Sequence, residues 1–573
     1  MNQRALREIT LKGFEIMVKE SDPWTIMSSY NKLNGKYTQQ NYELLTTILR
    51  DEWGFRGIVM TDWGSKDNTV EAVKAGNDLM EPGMDIEIER IVKAVENGDL
   101  PVADVDRNVR YMLEYIVKTP RFKGYKYSDN PDLASHARLV REAAAEGLVL
   151  LKNEATLPFC KNMKNVALYG ITSYDMIAGG TGSGNVNKAY IRNLADGLRE
   201  NGLTVDSIVE DWYSKYIAFK KADNAVGAAR MSILLGDAVL SEPSTPKKLI
   251  SSRVKDNDIA VVTIGRNAGE GADRTITNGD WTLTAEEREL LQNVCEEYHA
   301  AGKKVVVVLN IGGVIETASW KNLPDAILLA WTPGQEVGYT VADVLKGKSY
   351  PSGKLPMTFP VNYFDIPSSF NFPYETSSGS GFDFSSFFGG RKKEAKKNID
   401  YINYEEGIWV GYRYFTTAKK EVSYPFGYGL SYTIFQYGKP SVKVDKDGNI
   451  SASVTITNTG KMAGKEVVEL YVTAPENGLV KPAYELRSFA KTRELAPGES
   501  QTLTMKVDAY TLASFNEAGS CWETAIGKYT AHFGASANDL RCNAAFNIKQ
   551  ARNWKVNNVL APESPVQEIS VTR

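Results

Sequence analysis

The chain has 573 residues, of which 43% are hydrophobic and 24% charged, and its formal net charge is −3. This length suits several domains with sizeable cores, and the composition excludes a disordered or collagen-like chain. The small net charge gives no general attraction to nucleic acid or to an anionic membrane, so we expect neither as a partner.

Residues 1–119 alternate helical and strand patterns. Apolar spacing predicts helices over residues 4–19, 42–53, 86–97 and 102–118, and apolar runs predict strands over residues 24–31, 57–63 and 75–80. Such alternation is typical of a parallel sheet with right-handed crossovers. Three strands cannot close an eight-stranded (β/α) barrel, so we expect the C-terminal portion of a TIM-like barrel, open at its edges.

Residues 120–360 form a second α/β region, which begins with the segment 141–152. Nearly continuous apolar runs predict strands over residues 165–170, 258–265, 304–312 and 326–331. Runs of this kind are typical of a sheet that helices cover on both faces, so an α/β sandwich is expected. Thr284 and Glu287 predict a capping box at the start of a helix over residues 285–300.

Residues 361–435 are rich in Phe, Tyr, Gly and Pro, and we interpret them as an extended linker or loop region. This region includes a basic run, Arg391, Lys392 and Lys393. Over residues 436–548, apolar and polar residues alternate with a period of two, which predicts a β-sandwich; its strands are expected over residues 450–458, 466–472, 502–507 and 529–533. The C-terminal tail, residues 549–573, is expected to be poorly packed.

The cysteines and histidines point to no metal site. Cys160, Cys295, Cys521 and Cys542 are far apart and form no C-x-x-C pair, so free thiols are favoured, although Cys521 and Cys542 could meet within one β domain. The three histidines lie in no recognisable motif, which leaves few candidates for a His-based triad or metal cluster.

Two acidic residues follow predicted strands. Asp62 comes directly after Ile58–Met60, at the strand end where barrel active sites are built, although a helix N-cap or a buried ion pair would explain it equally well. Glu270 lies between glycines after the strand over residues 258–265, and taken alone it fits a charged loop with local ion pairs. Two carboxyls from two domains are nevertheless what a glycosidase needs, about 5 Å apart in a retaining enzyme.

A glycine run over residues 179–184 (GGTGSG) lacks the lysine of a phosphate-binding loop and the spacing of a dinucleotide fold. Backbone in such a run can approach a ligand closely, and Ser183 offers a hydroxyl for hydrogen bonding. A plain flexible turn explains the run equally well.

Several motifs in one order along the chain resemble glycoside hydrolase family 3 over nearly the whole length. They are residues 26–31 (IMSSYN), 52–57 (EWGFRG), 61–64 (TDWG), 75–78 (AGND), 142–147 (EAAAEG), 269–274 (GEGADR), 353–356 (GKLP), 411–414 (GYRY) and 424–431 (YPFGYGLS). The resemblance implies a TIM-like barrel, an α/β sandwich and a fibronectin-III-like domain.

The resemblance also assigns roles. It implies that Asp62 is the nucleophile, that Glu270 is the acid/base, and that no metal or organic cofactor takes part. Trp63 would border the sugar pocket, Met27 and Tyr30 would line it, and Ser183 would contact substrate. The implied activity is that of a retaining, exo-acting β-glucosidase on short oligosaccharides or aryl β-glycosides, in the periplasm or outside the cell.

One departure from the family pattern leaves alternatives open. Family members carry, upstream of the segment matched here, the first barrel strands and the residues that grip sugar hydroxyls. We therefore expect either an enzyme whose barrel is completed by a second copy or a complementing chain, or a weakly active or inactive sugar-binding fragment. Within the family, a β-xylosidase or arabinosidase is the nearest rival activity.

Overall fold

The computed structural model describes residues 1–64, 68–228, 239–270, 273–372 and 401–573. It has a mixed α/β region at the N-terminus, an α/β sandwich in the middle and an all-β sandwich towards the C-terminus, which confirms the predicted fold class. The basic run at Arg391 lies outside the described residues. No helix within the described ranges is long and apolar enough to cross a membrane.

The N-terminal region contains two parallel strands, Thr25–Met27 and Ile58–Met60, in which Met27 pairs with Met60. Its helices are Gln3–Ala5, Leu6–Thr10, Lys12–Ser21, Glu43–Glu52, Thr69–Ala75, Asp85–Glu96 and Val102–Lys118, of which Leu6–Thr10 and Glu43–Glu52 are π-helical.

The strand predicted over residues 75–80 is wrong. Thr69–Ala75 is helical, and Gly76 ends the helix with a left-handed conformation (φ 100°). Within this segment, Leu79 forms an isolated parallel bridge with Met60. The ladder is no longer than this because Val59 N donates its hydrogen bond to the Asp78 side chain and not to a backbone carbonyl of a neighbouring strand.

A six-stranded sheet forms the centre of the middle domain. Its strands lie in the order Val149–Asn153, Ala326–Leu329, Lys304–Ile311, Ile259–Arg266, Asn165–Tyr169 and Thr204–Val205, and all are parallel except the first. Alternate residues of Lys304–Ile311 enter two separate buried clusters, one on each face of the sheet. The apolar run is therefore explained by burial on both sides.

Helices cover both faces of this sheet. They are Leu133–Gly147, Leu194–Glu200, Ser207–Ala228, Lys247–Arg253, Ala285–Ala300 and Val337–Lys346. The capping box predicted at Ala285–Ala300 is confirmed, since Glu287 N donates to Thr284 Oγ1 at 3.1 Å and Thr284 N donates to Glu287 Oε2 at 2.8 Å.

The chain order changes direction in the middle of this sheet. After Asn165–Tyr169 it passes to Thr204–Val205 on one side and then returns to Ile259–Arg266 on the other. The carboxyl ends of Asn165–Tyr169 and Ile259–Arg266 therefore form a topological switch point, where ligands of open α/β sheets bind.

The segment between the two sandwiches is partly regular. Its described elements are Phe359–Pro360 paired with Val422–Tyr424, the short 3₁₀ helices Tyr363–Asp365 and Pro367–Phe370, and the helix Tyr412–Thr417. The predicted extended loop is therefore interrupted by ordered elements on both sides of the residues that the structure leaves out.

The C-terminal sandwich has two four-stranded sheets. One contains Phe435–Tyr437, Ser441–Val444, Ile450–Asn458 and Ser500–Val507, and the other contains Val467–Thr473, Glu485–Lys491, Gly527–Ser536 and Asp539–Ile548. Alternate residues face a common apolar core, as the period of two predicts. Cys521 and Cys542 are both free thiols.

The expectation of a poorly packed tail is wrong. Asn553–Lys555 pairs with Cys521–Glu523. Leu560 is buried in one cluster with Met1 and Leu6. The contacts of Leu560 join residues more than 500 positions apart, so local composition gives no sign of them.

Candidate active site

Asp62 lies two residues beyond the strand Ile58–Met60 and is half-buried. Its Oδ1 accepts a hydrogen bond of 2.7 Å from Trp63 N. The preceding Thr61 is held on both sides, because Thr61 N donates to Leu79 O at 3.0 Å and Thr61 Oγ1 accepts from Glu81 N at 2.9 Å. The buried strand therefore fixes the backbone from which the carboxylate projects.

A buried ion pair supports this strand from behind. Arg50 Nη2 lies 2.6 Å from Asp78 Oδ2, and the same oxygen accepts from Val59 N at 2.8 Å. Arg50 Nη1 also donates to Gly57 O at 3.0 Å. Burial raises the pKa of Asp78 to about 6, and the nearby Arg50 charge opposes that shift. The ion pair ties the beginning and the middle of the strand to the helix Glu43–Glu52.

Tyr30 lies beside Asp62. Its hydroxyl donates to Trp63 O at 2.5 Å. Burial, the hydrogen bonding and charge of Asp62, and the charge of Glu270 together raise the pKa of Tyr30 to about 12. The phenol therefore stays protonated and available as a donor at ordinary pH. The Tyr30 hydroxyl is therefore within electrostatic range of both carboxylates.

Glu270 is held from the side by the glycine loop, which we define as residues 179–184. Thr181 N donates to Ala268 O at 3.1 Å, Glu270 N donates to Thr181 O at 3.4 Å, and Thr181 Oγ1 donates to Glu270 O at 2.7 Å. The two segments thus run in parallel contact. The backbone of Glu270 is fixed although its side chain is exposed.

Two further residues of the glycine loop reach the Glu270 side chain. Ser183 Oγ donates to Glu270 Oε1. Gly182 has φ +64°, and a Cβ at its position would lie 2.4 Å from Glu270 Cβ. Only a glycine leaves room for the carboxyl here. Ser183, expected to contact substrate, contacts the candidate acid/base itself.

Ion pairs anchor the chain on both sides of Glu270. The Arg266 guanidinium contacts both oxygens of Glu287 at 2.6 Å, and this pair is buried. Arg274 pairs with Asp280. Although burial acts in the opposite direction, Thr275 N–H and the Arg274 charge lower the pKa of Asp280.

The remaining predicted pocket residues are open to solvent. Met27 is 57% exposed and Trp63 66% exposed, and Tyr30 is also exposed. Met27 lies on the strand next to that of Asp62, so all three border the same strand ends. The candidate site therefore has one built side, formed by the glycine loop and Glu270, and one uncovered side.

Sequence reasoning missed Thr181, Gly182 and the Arg50–Asp78 pair as supporting residues. Thr181 lies in the glycine run and Asp78 in the AGND motif, so both residues stood in segments that the sequence singles out. Their partners, Glu270 and Arg50, are distant in sequence and could not be recognised from it. No group of three His, Cys, Asp or Glu side chains suited to a metal occurs among the described residues.

Three family models match the chain. The glycosyl hydrolase family 3 N terminal domain matches residues 1–115, the glycosyl hydrolase family 3 C-terminal domain matches residues 148–432, and the fibronectin type III-like domain matches residues 466–537. These matches agree with the three regions of the fold.

Curated relatives and solved structures give the same result. Thermostable beta-glucosidase B of Acetivibrio thermocellus is 34% identical over 96% of this chain and 67% of its own length. Exo-alpha-(1->6)-L-arabinopyranosidase of Bifidobacterium longum is 32% identical over 94% of this chain, which spans 65% of that relative's length. The structure of beta-glucosidase 3B from Thermotoga neapolitana in complex with glucose superposes with a TM-score of 0.88 at 43% identity, covering 97% of this chain and 75% of the other. With these motifs, this fold and these matches, the chain belongs to glycoside hydrolase family 3.

Proposed function

We propose that this chain carries the catalytic carboxyls of a retaining, exo-acting β-glucosidase, with Asp62 as nucleophile and Glu270 as acid/base. The observation that supports the proposal is the placement of the two carboxyls: Asp62 follows the buried strand Ile58–Met60 beside Tyr30, and Ser183 of the glycine loop holds Glu270. Two β-glucosidases among the proteins compared above support glucose as the sugar.

In the first step, an Asp62 carboxylate oxygen attacks the anomeric carbon from the side opposite the leaving group. The glycosidic C–O bond breaks, and the proton held by the Glu270 carboxyl goes to the departing oxygen. Tyr30 keeps its proton, which it donates to Trp63 O in this structure, and a turn of that hydroxyl towards Asp62 would let it stabilise the carboxylate before attack and on release.

In the second step, a water molecule attacks the anomeric carbon of the glycosyl ester. Glu270, now a carboxylate, takes one proton of that water, and the ester C–O bond to Asp62 breaks. The product is a hemiacetal with the original configuration. Ser183 and Thr181 keep Glu270 in one place while it exchanges its two roles.

Turnover of 4-nitrophenyl β-D-glucoside tests the activity, and proton NMR of the first-formed anomer tests the stereochemistry. We expect the β-anomer to appear before mutarotation, and turnover to vanish in Asp62→Asn. An α-anomer as first product, or unchanged turnover in Asp62→Asn, would refute the assignment of the nucleophile.

A second activity has a specific observation in its favour. The relative from Bifidobacterium longum is an exo-alpha-(1->6)-L-arabinopyranosidase. Its sequence identity to this chain, 32%, is close to the 34% of the β-glucosidase from Acetivibrio thermocellus. Comparing kcat/KM on 4-nitrophenyl β-D-glucoside, β-D-xyloside and α-L-arabinopyranoside separates these readings. A larger value on either pentoside would replace glucose as the proposed sugar.

The uncovered side of the site is where a second copy of the chain or a complementing chain would pack. The exposed Met27 and Trp63 side chains would be covered if a second copy or a complementing chain packed against the strand Thr25–Met27. Mass measurement by light scattering, combined with activity across a dilution series, tests this. Activity that falls with dilution supports association, whereas sugar binding by a monomer without turnover supports the fragment reading.

A further inference from the structure

A cavity of about 510 Å³ lies in the middle domain, separate from the candidate active site. Its walls come from residues 171–172, 239–242, 263–267 and 274–287, and neither Asp62, Glu270 nor Ser183 lines it. The volume is in the range of small-molecule binding pockets. The cavity lies at the carboxyl ends of Asn165–Tyr169 and Ile259–Arg266, which is the topological switch point of the sheet.

Two polar side chains, the buried Thr172 and the half-buried Glu242, mark this cavity as more than a packing defect. Thr172 is 3% exposed, and its hydroxyl has no hydrogen-bond partner among the described residues. Most buried hydroxyls have a partner, and because this one lines the cavity it is available to a ligand there. Glu242 accepts hydrogen bonds from Tyr213 at 2.7 Å and from Ile171 N at 2.8 Å, and each carboxylate oxygen can accept one more.

The charges around the cavity decide the class of ligand. Arg266 is paired with Glu287 and Arg274 with Asp280, so both cations are already neutralised. An anion would therefore find little attraction. What remains is a set of donors and acceptors on the cavity wall, namely the N–H groups of Arg274 that Asp280 does not take, the Glu242 carboxylate oxygens, the Asn267 amide and the Thr172 hydroxyl. Hydroxyl groups, which both donate and accept, match such a set.

We propose that this cavity is a second binding site, for a small neutral polyol with the size and hydroxyl pattern of a monosaccharide. Thr172, Glu242 and Asn267 hydrogen-bond the hydroxyls, and Arg266 and Arg274 both line the cavity. These two arginines lie on the two sides of Glu270 in the chain, so an occupied cavity restrains the segment that carries it. The site does not require turnover, and it stands or falls separately from the proposed function.

Hydrogen–deuterium exchange of the full chain, read by mass spectrometry, locates binding without relying on activity. The probes are glucose and myo-inositol, with inorganic phosphate as an anionic comparison. We expect both polyols to protect peptides covering residues 239–242, 263–266 and 273–287. Protection of peptides around residues 26–31 and 58–64 reports the candidate active site instead.

Thr172→Val tests the mechanism, and Thr340→Val is its matched control. Thr340 is also a fully buried threonine whose hydroxyl is unpartnered in the described part of the chain, but it lies on the helix Val337–Lys346 away from the cavity. Neither change removes a protein hydrogen bond, so both variants should unfold at the same temperature as the parent. Thr172→Val should weaken protection of the cavity peptides by about two- to tenfold, as expected for one lost hydrogen bond, and Thr340→Val should leave it unchanged.

Three results would overturn the proposal. The first is no protection of the cavity peptides by either polyol at high millimolar concentration, which means that the cavity holds only water. The second is protection by phosphate in preference to the polyols, which contradicts a neutral ligand. The third is equal weakening by Thr172→Val and Thr340→Val, which means that the hydroxyl of Thr172 takes no part.

Discussion

The two candidate catalytic carboxyls are positioned in different ways. Asp62 follows a buried strand that the Arg50–Asp78 pair fixes from within the first domain. Glu270 lies on an exposed segment, which a second loop, Thr181 to Ser183, holds by hydrogen bonds. The proposed nucleophile, which must meet one carbon atom, is thus built on the core. The proposed acid/base, which must give and take a proton, is built on two loops, where small changes can alter its position.

Replacing Glu270 gives the largest expected effect on activity and tests the loop side. Glu270→Gln removes the proton donor, so kcat/KM on a glucoside with a poor leaving group should fall by about 10² to 10⁴. The 2,4-dinitrophenolate group leaves without being protonated, so kcat/KM on its glucoside should fall far less. Steady-state kinetics on a series of aryl glucosides checks this, and an equal loss on every leaving group would remove Glu270 from the acid/base role.

Replacing Arg50 tests the core side. Arg50→Ala leaves Asp78 buried without its partner, which should lower the free energy of unfolding of this region by about 3 to 5 kcal/mol. Chemical denaturation followed by circular dichroism measures it. The matched control is Lys215→Ala, which breaks an exposed pair with Asp211 and should cost less than about 0.5 kcal/mol. Similar losses in the two variants would show that the buried pair does not support the strand.

Adding one methyl group to the glycine loop sharpens the contrast. In Gly182→Ala the new Cβ would lie 2.4 Å from Glu270 Cβ, so the carboxyl must move, and kcat should fall by about 10². The control is Gly184→Ala, because a Cβ at Gly184 meets no atom within 4 Å. Steady-state measurement of kcat for both variants checks this. An equal fall of kcat in Gly184→Ala and Gly182→Ala would mean that stiffening of the loop, and not the contact with Glu270, is the cause.

The smallest predicted effect concerns Ser183. If its hydroxyl positions Glu270, Ser183→Ala should lower kcat by about tenfold, the equivalent of one charge-assisted hydrogen bond, and only on poor leaving groups. If Ser183 instead contacts only the sugar, KM should rise and kcat should stay. The split between kcat and KM on two leaving groups distinguishes the roles.

Local sequence predicted most of the elements and few of the contacts. The helix Ala285–Ala300 and the strand Ile450–Asn458 have the predicted bounds. A capping box and an alternating burial pattern both depend on residues that are close in sequence, so they can be recognised from the sequence alone. The strand over residues 75–80 failed because Asp78 serves as a buried ion-pair partner, and its spacing from Arg50 has no local signature.

The site shows the same limit. The positions of Asp62 and Glu270 after their strands could be predicted, whereas the approach of the glycine loop to a ligand stays a prediction. The contact between Ser183 and Glu270 could not, since the two residues are 87 positions apart and meet only through the arrangement of parallel strands. The roles of both carboxyls stay predictions until the variants above are measured.

The packing of the last residues against the first has a consequence for how the protein is made. Leu560 belongs to the apolar cluster that covers Met1 and Leu6, and Asn558 accepts a hydrogen bond from Gln3. During synthesis the helices Gln3–Ala5 and Leu6–Thr10 leave the ribosome long before Leu560 is made. Their apolar surface must therefore stay uncovered, or bound by a chaperone, until Leu560 has emerged.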